Sequence, residues 1–422
     1  MSTADPDFHA PEIIRDPFPA LAEMRRAAPV LWNESLKGWC VTRHADICAA
    51  LKEPRLSAER IQPFLEQQSR ISRDIVESLG AVFLLWLPFL DPPRHTRLRK
   101  LLSAGFSGRA IAALPARITE IVDGLIAAMP AGGRLDVIGD FAAPLPGIVI
   151  ADILGVPRRD VGRLKRWSDD IAAFVLDSRL RDDKYRVAAR ATDEMRAYFD
   201  RLIAERQQHP GNAVIDDLIA AHEGDDRLSR AELLSSCVLL LFAGHETTTQ
   251  MFGNGLLALL RHPEQMETLA RAGAGSALME GALEEILRYD GPTVATVRVV
   301  REPFTLHGVR LERGARVHLM IGAANRDPAV FEAPERFDIR RENARRQISF
   351  GFGPHVCLGA RLARMEGVLG FPPLARALAG ARLPDAPLEW SDSLIVRGLR
   401  ALPLRLQNGQ GESKPRRAPS SG

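Results

Sequence analysis

The sequence predicts a mainly α protein with small β-sheets, built as one large domain. Helical periodicity recurs through most of the chain, and segments that alternate like strands are short and few. No linker, repeat or low-complexity break falls between residues 10 and 405. The domain is therefore placed at 1–407. The tail 408–422, rich in Gly, Ser, Pro and basic residues, is expected to be disordered.

In chain order, helical patterns cover 18–28 and 44–52, with strands expected at 29–32 and 38–42. Asp91-Pro92-Pro93-Arg94-His95-Thr96-Arg97-Leu98-Arg99 reads as a proline turn leading into a basic helix over 94–106. Helices follow over 108–129, 160–178 and 184–208. The stretch 229–260 opens with Ser229-Arg230-Ala231-Glu232, a capping-box pattern, and carries no further charge from Leu233 to Phe242 before meeting His262-Pro263. This spacing predicts one long buried helix.

A helix over 276–290 places Glu285 and Arg288 three residues apart on one face, where they can pair. Glu284, four residues from the same arginine, is a rival partner. Strands are expected at 294–300, 304–306 and 316–320, and a last helix at 360–369. Beyond Glu366 that helix meets Gly367, Gly370, Pro372 and Pro373. A proline inside a helix costs about 3 kcal/mol, so a kink or an early stop is expected there.

The 422 residues are 46% hydrophobic and 26% charged, enough for a large core. A net charge of +3, with scattered basic residues, gives no support for nucleic-acid binding. The longest apolar runs, 80–90 and 233–244, are too short to span a bilayer, and no hydrophobic signal core follows Met1. A soluble, cytoplasmic protein is expected. Cys40, Cys48, Cys237 and Cys357 show neither a disulfide framework nor zinc-ligand spacing.

Two segments carry the chemistry. In Phe350-Gly351-Phe352-Gly353-Pro354-His355-Val356-Cys357-Leu358-Gly359, the glycines and proline favour a tight, pre-shaped loop that holds one sulfur. The helix start after Cys357 offers free amides and a positive dipole end, which stabilise a thiolate. Read without context, the same cysteine is a small buried hydrophobe. In the middle of the long apolar helix, Ala243-Gly244-His245-Glu246-Thr247-Thr248 introduces an acid and hydroxyls. Either they serve chemistry, or Thr247 bonds back to a carbonyl one turn earlier while Glu246 faces solvent.

The cysteine loop resembles the haem-binding loop of the cytochrome P-450 superfamily, whose pattern F-G-x-G-x-H/R-x-C-x-G it meets at each specified position. The acid and threonine in the long helix, the E-x-x-R pair and Pro334-Glu335-Arg336-Phe337 fit the same family in the same order, so the resemblance covers nearly the whole chain. It implies a triangular fold with a small sheet at one side. It also implies haem b, iron protoporphyrin IX, with Cys357 as thiolate ligand to the metal.

By the same resemblance, His95, Arg99, Arg298 and His355 hold the propionates, and Phe350, Gly359, Ala243 and Gly244 border the haem. Glu246 and Thr247 deliver protons to bound dioxygen. Glu285, Arg288 and Arg336 form a buried structural lock. The substrate pocket draws on 61–89, 171–190, Leu239, Leu240, Ala243, Val294, Ala295, Ile395 and Val396. Its leucine and valine walls suit a lipophilic molecule, though the same residues would also pack a core. Arg179 and Arg181 are candidates to meet a carboxylate.

The activity implied is insertion of one oxygen atom from O2 into a lipophilic small molecule. No flavin- or nicotinamide-binding fingerprint is present, so electrons are expected from a separate ferredoxin and ferredoxin reductase. Arg99, Lys100, Arg109, Arg345, Arg346, Arg361 and Arg364 are candidates for a positive docking face. Alternatives are a peroxide-driven peroxygenase, against which the Glu246-Thr247 pair argues, and a non-catalytic haem-thiolate sensor.

Overall fold

The long helix is the axis of the molecule. In the computed structural model it runs from Arg230 to Arg261, and its capping box is formed: Glu232 N donates to Ser229 Oγ at 3.2 Å, and Ser229 N donates to Glu232 Oε2 at 2.9 Å. The structure describes residues 5–66, 71–106, 109–175, 183–220, 222–223, 226–273, 275–393 and 395–406. The expected tail at 408–422 and the arginines 179 and 181 lie outside these residues. No helix among the described residues is long and apolar enough to cross a membrane.

Helices pack on the axis from several sides because it is apolar almost all round. Helices Arg73–Phe83, Pro144–Ile153, Val161–Val175, Lys184–Gln208, Ala277–Asp290 and Ala360–Ala377 all contact it. The basic helix, Arg94–Gly105, is tied to its start by Arg97, which bonds both Asp226 and Glu232 at 2.5 Å. The largest apolar core gathers around this axis.

A five-stranded sheet stands to one side. Val30–Asn33 pairs antiparallel with Gly38–Val41, which lies parallel to Arg316–Leu319. Thr296–Val300 then pairs antiparallel with Arg316–Leu319, and the short Leu56–Ser57 closes the edge. The mainly α class with small sheets is the one expected. Reading from sequence missed several short elements, including the helices Arg73–Phe83 and Pro144–Ile153 and the strand pair Gly133–Asp136 with Pro403–Leu406.

The expected interruption of the last helix does not occur. Ala360–Ala377 is continuous, with Pro372 and Pro373 inside it. The glycines read as breakers are instead sites of close approach: a Cβ on Gly367 would stand 2.6 Å from Leu283, and one on Gly370 2.8 Å from Phe252. Phe371 and Leu374, both fully buried, anchor the segment across the prolines. Tertiary packing thus offsets the backbone hydrogen bonds that the prolines remove.

Candidate functional site

Cys357 sits in a loop shaped by its glycines. Gly351 and Gly353 have φ of +77° and +72°, the left-handed region where a side chain is strained. Cys357 N donates to Phe350 O at 2.8 Å, which closes the loop. The thiol's exposed surface opens on an internal cavity, so burial still pushes its pKa up. Backbone amides of Gly359 and Ala360 and the charges of Arg99 and Arg364 act in the opposite sense and favour the thiolate.

The cavity has a volume of about 310 Å³ and mostly apolar walls. One wall is a stripe of the long helix, Leu239, Leu240, Ala243, Gly244, Thr247 and Thr248. Ala243 is exposed although it lies at the middle of a core helix, because it faces the cavity. Phe350, His355 and Gly359 line it from the cysteine loop.

Buried His95 and Arg298 and half-buried Arg99 and His355, all cationic or hydrogen-bonding, line the same space. His95 is 2% exposed and neither ring nitrogen has a partner. Its ring lies 4.0 Å from that of His355. Burial, with Arg298, His95 and Arg99 nearby, pushes the His355 pKa down to about 3. Burial also lowers Arg298 to about 10. Among the described residues Arg298 donates to Thr296 Oγ1 and the Val297 carbonyl, and Arg99 donates to the Val356 carbonyl at 2.7 Å. Buried polar groups that lack partners favour an anionic guest. A planar cofactor bearing two carboxylates, with a metal for the sulfur, fits this donor set.

The two candidates from the long helix part company. Thr247 lines the cavity, and its Oγ1 donates to Ala243 O at 2.8 Å, the back-bond that the sequence left open. Glu246, about 100° further round the helix, is off the cavity and half-buried. It accepts from Gln250 Nε2 at 3.2 Å, and burial raises its pKa. Gln250 is itself held by the backbone of Leu399 on both sides of its amide.

The ion-pair lock requires a correction. Glu285 and Arg288 are fully buried and pair in bidentate fashion at 2.6 and 2.8 Å. Arg336 contributes its carbonyl to Arg288 at 3.1 Å, but its guanidinium is 72% exposed and pairs with Asp338. Arg341 takes the expected place, 3.2 Å from Glu285. The chain around Arg336 presents its backbone, not its side chain, to the lock. The rival Glu284 is drawn away by Arg364 at 2.6 Å and Gln347 at 2.8 Å.

The pocket expectation is also corrected in part. Leu239, Leu240 and Ala243 line the cavity, whereas Val294 and Ala295 pack into a separate apolar cluster with Phe18 and Leu21. Pro292, Thr293 and Thr296 face the cavity in their stead. Ile395 is not a wall residue; its carbonyl accepts from Val294 N at 3.0 Å. Neither does Val396 reach the cavity.

Sequence reading missed Glu366. It is 1% exposed, lines the cavity, has one carboxyl oxygen without a partner, and burial raises its pKa well above the usual range. A lone acid followed by the uncharged run Gly367 to Ala375 was the available signal.

Comparison with known proteins agrees in both sequence and fold. The family model described as Cytochrome P-450 matches residues 166–273 and 275–372. Cytochrome P-450 monooxygenase PikC of Streptomyces venezuelae is 38% identical over 94% of this chain and 92% of its own. The 6-deoxyerythronolide B hydroxylase of Saccharopolyspora erythraea is 35% identical over 96% and 99%. The Vitamin D(3) 25-hydroxylase of Pseudonocardia autotrophica is 36% identical over 96% and 97%. Among solved structures, CalO2 superimposes with a TM-score of 0.87 at 33% identity, covering 96% of this chain and 100% of that one.

Proposed function

The chain belongs to the cytochrome P-450 family and is a monooxygenase; from that premise we propose that it holds haem b through Cys357 and oxidises a lipophilic small molecule. The observation that carries this reading is one cavity shared by the Cys357 thiol, the Thr247 hydroxyl and a cluster of His95, Arg99, Arg298 and His355. When bound, a haem with a thiolate ligand supplies the chemistry of oxygen–oxygen bond cleavage.

The chain's own residues do the rest. The Gly359 and Ala360 amides and the guanidinium of Arg99 hold negative charge on the Cys357 sulfur. Arg298, Arg99, His95 and His355 receive the propionate carboxylates, which supply partners for the buried His95 ring nitrogens and negative charge for the two guanidiniums. Thr247 Oγ1 moves a proton inside the cavity, and Glu246 supplies it from the flank of the helix once it leaves Gln250. Leucine walls exclude water and position an apolar carbon near the reacting centre.

Two relatives are named for hydroxylating 6-deoxyerythronolide B and vitamin D3, which supports hydroxylation of a lipophilic substrate here. Electrons come from a separate ferredoxin and its reductase, the arrangement that the family resemblance implies. Four free cysteines among the described residues suit a reducing cytoplasm.

The test is the reduced, carbon monoxide-bound spectrum of purified protein. A red-shifted Soret band is expected from the native chain and should vanish in Cys357→Ser. Retention of that band by the serine variant would overturn the assignment.

A further inference from the structure

On the face of the long helix turned away from the cavity, His245 and Glu246 meet Asp169 of the helix Val161–Val175, and their ligand atoms lie within 4.8 Å of one another. None of the three lines the cavity. His245 is 4% exposed. Its Nε2 stands 3.2 Å from Ala143 O, an acceptor, so that nitrogen carries the proton. The other nitrogen, Nδ1, keeps its lone pair, and it is buried without a partner.

A neutral imidazole fixed by an N–H···O=C bond on one nitrogen, with the second nitrogen unused, is the state in which histidine binds metals. Two carboxylates beside it supply hard oxygen ligands and neutralise a dication. Because Asp169 is exposed, the site has an open side through which an ion and its waters can enter. Lys165 holds Asp169 Oδ2 at 2.7 Å, but it is 44% exposed and can turn to solvent.

We propose that His245, Glu246 and Asp169 form a binding site for a divalent cation of borderline softness, of which Zn²⁺ is the probe. Its ligands would be one imidazole nitrogen and two carboxylates, with water completing the shell. Occupancy clamps Glu246 between two helices. This consequence for turnover rests on the proton-delivery role assigned to Glu246, whereas the binding itself does not.

The test titrates Zn²⁺ into the tag-free holoenzyme by calorimetry, alongside His245→Gln and Asp169→Asn. Asp169 is an exposed surface residue, so its variant keeps the fold testable should His245→Gln be unstable. Saturable binding of one equivalent is expected, weakened about 10-fold or more in either variant. Absence of binding, or equal affinity in wild type and both variants, overturns the site. In the second arm, product formation with a surrogate ferredoxin system should fall as Zn²⁺ saturates the wild type and not in Asp169→Asn. Binding that is lost in the variants but leaves wild-type turnover unchanged supports the metal site and overturns the role of Glu246.

Discussion

Thr247 and Thr249 make the same bond, each hydroxyl donating to the carbonyl four residues back, at 2.8 and 3.0 Å. Only Thr247 faces the cavity. That contrast separates a chemical role from a helical habit. In Thr247→Ala, product formed per NADPH consumed should fall about 10-fold or more, given the usual weight of a positioned proton donor. Thr249→Val should leave that ratio unchanged, and equal losses in both would reduce Thr247 to a structural residue. Glu366 allows a prediction about pH. Its folded-state pKa lies above the unfolded value, so the native chain binds the extra proton and loses stability as pH rises from about 4.5 towards the folded pKa. Glu366→Gln, neutral at every pH, should remove part of this loss. Denaturation midpoints at pH 6 and pH 8 should differ less in the variant than in the native protein.

Elements meet through pairs that a linear reading could not choose between. The helix Ala277–Asp290 presents two adjacent acids that share no arginine: Glu285 takes Arg288 and Arg341, while Glu284 takes Arg364 from the helix that follows the cysteine. Arg288 also donates to the carbonyls of Asn325, Pro334 and Arg336. Arg288→Leu leaves Glu285 buried with its bidentate partner gone and Arg341 alone beside it, and should destabilise the protein by about 3–5 kcal/mol. Arg336→Ala removes only an exposed side chain and should cost at most about 1 kcal/mol. Equal losses in chemical denaturation would show that the lock runs through the Arg336 guanidinium after all. Helix periodicity and caps were legible here. The choice of ionic partners was not, because it depends on which chain segment crosses which face.

At the scale of the molecule, the expected docking face is partly spent on internal bonds. Arg364 serves Glu284, Arg345 reaches Glu280 at 2.9 Å and Arg99 holds the cysteine loop, while Arg346 and Arg361 remain exposed. Electron delivery by an acidic donor should therefore weaken with salt, since exposed charges are screened over about 8 Å at physiological ionic strength. The apparent KM for ferredoxin should rise between low and moderate salt, with a smaller rise in Arg346→Ala/Arg361→Ala. A salt-independent KM would rule out electrostatic docking.

The cysteine loop, the capped long helix and the mainly α class could be read from residue order alone, because each is a local pattern: glycines at positive φ, a serine and glutamate three apart, an uncharged run. Three features were decided only by the tertiary structure. Arg341 replaced Arg336, Glu246 turned off the cavity while Thr247 faced it, and Pro372 and Pro373 stayed inside a helix. Each depends on contacts between residues far apart in the chain. The balance of burial, charge and close packing at those contacts is set only when the segments meet.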